Sequence, residues 1–417
     1  MVMCLTLAAS QLSHAQTTAS PERVLRVPLQ KWLSEKDESH FRWTLRVSNP
    51  RLVHQQRLRV QLDIELDGAY LGDPKSDRLA FLMEVMDGSG HRFPAIHELD
   101  RGDLRRVSSS QNLMHAREIY VVPGDYRIIA AIFEPQSGEH SVQQKMLHVA
   151  AMKNDPLPEA WNGLPAVEFL QDAAALDEAF EPYLRGKIHL EVKSERRLDL
   201  NVVVNTAVGP ARRSQRTGEE RFQGAGPMLA VAKLLANADV TNGELDLALA
   251  DLNRQRVVFE HRGPQEVNWE ELRRALADAS PNKIDVGSLA KRSQNAQFFA
   301  SEVAKRIESK AAVIVLSQVM SFESGEDLHP VKADVPANAL FFYLRFHEPP
   351  SAVLIPQLDR SGGFRRQRAE VIHPEMLEPV DSLASVVKPL HPRMFDIYAP
   401  DQVRKALRTI FDELAKQ

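Results

Sequence analysis

Residues 198–210 read LDLNVVVNTAVGP. The run from Leu198 to Val204 is apolar enough for a strand buried on both faces, and it stops abruptly at Asn205-Thr206. A polar, Gly-containing segment follows, and then a helical pattern, so the stretch reads as strand, loop, helix. In open α/β sheets the carboxyl end of such a strand is where ligands and catalytic groups sit. The stretch therefore decides two things: that this part of the chain is α/β, and where its site would lie.

The elements downstream carry the same signature. Residues 227–238 (PMLAVAKLLANA) form a helical pattern with Pro227 suited to its first turn. Residues 243–263 (GELDLALADLNRQRVVFEHRG) predict a strand pair joined near Leu252-Asn253-Arg254. Residues 268–279 begin with Asn268 as N-cap and Glu271 three positions on, a capping box ahead of a helix. In 295–309 (NAQFFASEVAKRIES), helical spacing puts Phe298, Phe299, Val303 and Ile307 on one face. Residues 311–322 (AAVIVLSQVMSF) are a near-continuous apolar run typical of a central parallel strand. Strands at 338–346 and 394–399 and a final helix at 400–416 complete the order β-α-ββ-α-α-β-β-α. That order predicts a doubly wound, mostly parallel sheet with one antiparallel edge pair.

Upstream the periodicity changes. Residues 40–49 and 56–68 alternate apolar and polar side chains, as half-buried strands do. Residues 78–93 hold two strands around Asp87-Gly88-Ser89-Gly90, and 117–149 hold further strands around Pro123-Gly124-Asp125 and Gln136-Ser137-Gly138-Glu139. Short strands with frequent turns predict an antiparallel β-sandwich over 24–150. The segment PGDYRIIAAIFEPQSGEHS resembles the closing strands of immunoglobulin-like modules of bacterial exported proteins, a likeness that concerns fold only. Residues 151–185 read as a Pro-bearing connector with a short helix. The expected fold class is thus an all-β, immunoglobulin-like sandwich followed by an α/β unit over 186–417.

Composition sets further bounds. The 417 residues are 43% hydrophobic and 26% charged with a net charge of -4, ordinary for a soluble globular chain and no signature of nucleic-acid binding. The single cysteine, Cys4, excludes a disulfide framework and any Cys-based metal site. Residues 1–15 look like the back half of a secretory signal peptide, with the small-x-small pattern Ser13-His14-Ala15 before Gln16 and no charged n-region. The expectation is a secreted or periplasmic protein without a membrane span.

The α/β order, with a hairpin in second and third place, resembles the von Willebrand factor type A fold, and most closely its bacterial VWFA-related members. LDLNVVVNTAVGP stands in the place of that family's first strand and Asp-x-Ser-x-Ser turn; AAVIVLSQVMSFESGED stands in the place of its fourth strand and (S/T)-D-G turn. The likeness covers roughly 187–417. It implies a metal-ion-dependent adhesion site, in which carboxylates and hydroxyls converge on Mg²⁺ or Ca²⁺. This chain departs from the pattern. Asn205 stands for the first Asp, Ala207 and Gly209 for the two Ser, and Gln318 for the fourth-strand Asp. Neutral amides do not neutralise a cation, so no bound metal and no other cofactor is expected.

Thr206 is a lone hydroxyl beside that position. The long segment 205–226 carries Arg212, Arg213, Arg216 and Arg221 against Glu219 and Glu220. It is either a solvated loop or a binding loop in which arginines receive a partner's carboxylates. The candidate binding face is therefore Asn205, Thr206, Gln318, Arg212 and Arg213. Elsewhere, His91 and His97 read as surface histidines, Asp246 and Asp251 as opposite-facing strand residues, and His347 as the point where a strand meets solvent. The basic turn 359–368 lacks a strand-loop-helix frame for phosphate. No nucleophile elbow, Walker loop or dinucleotide fingerprint is present. The expected function is an exported, non-catalytic protein-interaction module with a protein partner. The alternatives are a structural part of the cell envelope, or a hydrolase or metal-dependent binder whose site is assembled from distant residues.

Overall fold

A computed structural model describes residues 27–35, 41–71, 78–100, 112–170, 186–207, 225–263, 266–278, 292–309, 312–320, 330, 335–336, 339–347, 352–353, 357–358, 364–365, 370–371 and 381–416. The expected signal segment 1–15, Gly209, Arg212 and Arg213 lie outside these residues.

Among the described residues, the first half holds a short helix α1 (Leu29–Ser34), a single helical turn at Gly68–Leu71 and nine strands: β1 (Trp43–Val47), β2 (Arg51–Leu52), β3 (Leu58–Leu66), β4 (Arg78–Asp87), β5 (Arg92–Asp100), β6 (Leu113–Val121), β7 (Gly124–Phe133), β8 (His140–Val149) and β9 (Val167–Phe169). They make two antiparallel sheets, β1-β3-β6-β9 with β2 beside β3, and β5-β4-β7-β8. Strict alternation along β3 sends Leu58, Val60, Leu62, Ile64 and Leu66 into the space between the sheets, where they meet Phe81, Met83 and Val85 of β4 and Ile128, Ala130 and Ile132 of β7. Each such side chain contributes roughly 1.5–3 kcal/mol by leaving water. β4 is buried on both faces because α1 covers its outer side, with Leu29 and Trp32 packed on Leu82, Ile96 and Ile129.

The edge of β1 is closed by a side chain. Gln143 of β8 accepts from Leu45 N at 3.1 Å and donates to Trp43 O at 2.9 Å, so its primary amide stands in for a peptide of a neighbouring strand. The stretch expected to be a connector contributes more than a short helix. Residues 158–161 form a 3₁₀ turn, and β9 extends the first sheet by pairing with β6.

The second half contains β10 (Glu191–Val192), β11 (Leu200–Asn205), α2 (Gly226–Ala236), β12 (Asp239–Val240), β13 (Leu245–Asp251), β14 (Arg256–His261), α3 (Trp269–Asp278), α4 (Arg292–Ser309), β15 (Ala312–Gln318), β16 (Leu340–Phe346), β17 (Ala352–Val353), β18 (Gln357–Leu358), β19 (Phe364–Arg365), β20 (Glu370–Val371), α5 (Ser382–Val387), β21 (Arg393–Ile397) and α6 (Pro400–Leu414). Six strands form one sheet in the order β14-β13-β11-β15-β16-β21, parallel throughout except for β14. The short pairs β10-β12, β17-β20 and β18-β19 stand apart from it. Helix α5 was not expected; it lies within what reads in sequence as one long connection after β16, since six residues carry too little periodicity to register.

Alternate residues of the central strands feed two cores. Val202, Val204, Ile314, Leu316 and Leu344 pack under α2, α3 and α6, whereas Val203, Val313, Val315 and Tyr343 pack under α4 and α5. Gly243 permits the closest backbone approach in this half: a Cβ there would stand 1.7 Å from Leu198 O.

A polar joint ties the halves together. Arg404 of α6 is fully buried; it grips Asp155 through Nε (2.5 Å) and Nη2 (2.7 Å), donates to Leu157 O at 2.7 Å, and lies 4.6 Å over the Trp161 ring. Trp161 Nε1 donates to Gln56 O at 2.7 Å, and Gln56 Nε2 donates to Pro400 O at 2.9 Å. Beside it, a buried Arg57–Glu168 ion pair joins the start of β3 to β9, and Glu168 also accepts from Gly186 N at 3.1 Å.

Candidate functional site

Numbered by chain order, the six strands of the large sheet run 3-2-1-4-5-6, and the order reverses between the first (β11) and the fourth (β15). The crevice at the carboxyl ends of those two strands is the place such sheets use for ligands. Asn205 is the last residue of β11 and Gln318 the last of β15, so both expected residues do reach the switch point.

The register reveals a polar row across this edge. Val204 is level with Leu316, Ser317 with Arg345, and Arg345 with Asp396. Asn205, Ser317, Arg345 and Asp396 thus follow one another across strands 1, 4, 5 and 6, on the side that α4 and α5 cover.

Asn205 is fully buried, and its amide is used internally. Nδ2 donates to Ser317 Oγ at 2.9 Å and to Met320 Sδ at 3.1 Å, while Oδ1 accepts from Ala207 N at 2.9 Å. Ser317 Oγ passes its own proton to Gln318 O at 2.8 Å. Thr206 ties down the neighbouring strand: its N and Oγ1 both donate to Ala250 O, at 2.9 and 3.2 Å. Over the strand end sits the start of α5. Ser382 N donates to Met320 O at 2.8 Å, and Asp381 caps the helix by accepting from Leu383 N (3.1 Å) and Ala384 N (3.3 Å).

Tyr343 completes this network, with its hydroxyl 3.4 Å from Asp381 Oδ2 and also bonded to Ser317. Burial, and then the Asp381 charge, push the Tyr343 phenol well above its ordinary range. Burial likewise raises the Asp381 carboxyl, against the pull of the helix amides it caps. At the outer end of the row, Asp396 receives Arg345 Nη2 at 2.6 Å and His347 Nε2 at 2.8 Å, and the His347 ring stacks on Tyr398 at 4.1 Å. His347 is therefore a clamp between β16 and β21, not the solvent-facing residue its sequence position implies; its side chain is almost wholly covered.

Among the described residues, the donor set does not fit the cation that the family resemblance would place here. A Mg²⁺ or Ca²⁺ site needs anionic or open oxygen ligands. Asn205 supplies one amide oxygen already engaged by Ala207 N, and Ala207 has no side-chain oxygen. Among the described residues, no three His, Cys, Asp or Glu side chains gather as metal ligands.

Sequence reading located the strand ends but missed Ser317, Tyr343, Arg345, Asp381 and Asp396, and placed His347 at the solvent. The available signal was the polar residue interrupting an otherwise apolar strand, as Arg345 does in LFFYLRF and Asp396 in MFDIY. His97 also differs from its expected surface role: it stacks on His115 at 4.8 Å between the two sandwich sheets. Asp246 and Asp251 are buried and hold backbone, accepting from Gly263 N and Arg254 N at 3.2 Å each.

No family model matches this chain, and no curated protein does. Among solved structures it shows low similarity to a putative ApaA protein from Bordetella pertussis (11% identity, 27% of this chain and 97% of that one, TM-score 0.17). A β-glucosidase from Listeria innocua with bound isofagomine gives 11% identity over 32% of this chain and 21% of that one, at a TM-score of 0.17. A β-glucuronidase from Bacteroides uniformis gives 8% identity over 73% and 36%, at 0.19. Similarity at this level establishes neither a shared fold nor a shared activity. Among the described residues, no helix is long and apolar enough to cross a membrane.

Proposed function

We propose that this chain is an exported, non-catalytic protein-interaction module. In this reading residues 24–150 are an immunoglobulin-like sandwich, and residues 186–417 are a von Willebrand factor type A-like unit that binds without a metal ion. The strand order 3-2-1-4-5-6 with an antiparallel third strand supports the family reading. The observation that carries the metal-free reading is Asn205. It stands at the switch point fully buried, with both ends of its amide spent on Ser317, Met320 and Ala207 N.

The hydrogen bonds among Asn205, Ser317 and the Asp381 cap brace the strand ends. What remains for recognition is sequence beyond the strand end: the segment after Thr206 carries Arg212 and Arg213. Guanidinium groups would receive the carboxylates of a protein partner there.

The test is partner capture with the full chain as bait, in Mg²⁺ and again in EDTA, beside calorimetry with Mg²⁺ and Mn²⁺. Retention in EDTA, loss on reversing both charges (Arg212→Glu with Arg213→Glu), and no measurable heat are the expected results. Micromolar Mn²⁺ binding that disappears in Gln318→Ala would overturn the reading.

A further inference from the structure

Strand β8 carries two soft metal donors on one side. Leu147 and Val149 enter the sandwich core, so alternation places Met146 and His148 on the outer face of the β5-β4-β7-β8 sheet. Same-face neighbours on a strand are about 6.7 Å apart at Cα, a gap that a thioether and an imidazole can close around one ion. Met146 is 73% exposed, so packing contributes little to holding its side chain.

The His148 ring is already oriented. Its Nδ1 lies 2.7 Å from Oδ1 of Asp125, the residue level with it on β7, and the two side chains are 74% and 72% exposed. An ionised carboxylate only accepts, so Nδ1 carries the proton, and in the neutral ring Nε2 keeps its lone pair. A carboxylate on the far nitrogen is the arrangement that fixes the tautomer of metal-binding histidines and raises their basicity.

The donors select the ion. One thioether and one imidazole make a soft set, which suits Cu(I) and not Mg²⁺ or Ca²⁺, whose ligands are hard oxygens. Asp125 brings one negative charge to set against a singly charged ion. Arg127 is level with Met146 on β7, and its Nη2 is turned to Met86 Sδ at 3.5 Å. A divalent ion beside Met146 would meet that guanidinium with twice the repulsion.

We propose that Met146 and His148 form a two-ligand site for cuprous copper, in which Sδ and Nε2 bind the ion and Asp125 positions the imidazole. The β7–β8 ladder holds these residues in place by itself, and the ligands lie at the surface, so the site suits reversible uptake and not a structural metal. It belongs to the sandwich, apart from the strand end at Asn205, and stands whether or not that end of the α/β sheet binds a partner.

Anaerobic titration of Cu(I) against bicinchoninate measures this in the full chain carrying Cys4→Ser, so that the thiol does not take the ion. The protein should withdraw one equivalent. Met146→Leu and His148→Ala should each lose it while keeping the wild-type circular dichroism, because both side chains are exposed. Asp125→Ala should bind about 10-fold more weakly. No withdrawal of Cu(I), withdrawal that persists in the Met146→Leu, His148→Ala double variant, or full-strength binding by Asp125→Ala would each overturn the proposal. Should a variant not fold, NMR of the Cys4→Ser chain with Ag(I), a redox-inert stand-in for Cu(I), decides. Among 11 methionines and 14 histidines, the Met146 methyl and the His148 ring should shift first and together; any other pair moving first would refute the site.

Discussion

Replacing Arg404 by leucine tests the joint between the two halves. Its guanidinium makes three charge-assisted bonds, two to Asp155 and one to Leu157 O, and stacks on Trp161. Breaking a buried ion pair costs about 3–5 kcal/mol, and the lost cation–π contact adds about 1 kcal/mol, while a leucine recovers part of that by filling the space. The expected loss is about 4 kcal/mol.

The partner change, Asp155→Ala, should cost more. Arg404 is wholly buried and cannot shed its proton, whereas Asp155 keeps 11% of its side chain exposed and can recruit water. Urea denaturation followed by tryptophan fluorescence measures both, since Trp161 lies in the joint. Losses below about 1 kcal/mol, the level of a surface pair, would refute the reasoning, as would Arg404→Leu being the more damaging change. Burial alone would raise Asp155, but the Arg404 bonds hold it below its ordinary 3.8. The pair's contribution is therefore complete above that value and disappears as pH falls through the lowered one.

Three further outcomes are expected. Asn205→Leu removes the donors to Ser317 and Met320 and strands Ala207 N; it should cost roughly 2–3 kcal/mol in denaturation, and unchanged stability would show the network to be incidental. Gly243→Ala drives a methyl into Leu198 O and should cost about 3 kcal/mol or more; a melting temperature like wild type would contradict the close approach. His54, which burial lowers from 6.5 to about 4, opposes folding as pH falls below 6.5. His54→Leu should flatten the loss of stability between pH 7 and pH 5 by about 2 kcal/mol, and parallel curves for the two proteins would count against it.

The elements most visible in sequence were those with long, uniform periodicity. β3 and β15 were legible because strict alternation and an unbroken apolar run each have one structural meaning. The hairpin β13–β14, with its fixed place in the order, made the sheet's topology readable too. The strand end at Asn205 was recognisable for the same reason, as an apolar run that stops.

The side chains meeting there were not recognisable. Asn205 and Ser317 are 112 residues apart, and Tyr343 and Asp381 are 38 apart. Only the register of parallel strands brings them to one level, and a single sequence does not state a register. Helix α5 was missed because its helicity comes from the Asp381 cap and from packing on Met320, not from a periodic face.

The joint also sets an order of events for a chain that emerges from the ribosome N-terminus first. Every strand of the sandwich is present by residue 169, so that part can close early. Its lower surface, with Asp155, Trp161 and Gln56, remains bare until residues 400–404 appear, because Arg404 and Pro400 are what cover it. Helix α6 thus acts as a seal that is applied only once residues 400–404 have been made. A product that stops short of it would display an unpaired carboxylate and an uncovered indole on an otherwise folded sandwich, a surface that quality-control proteases and chaperones can distinguish from the sealed one.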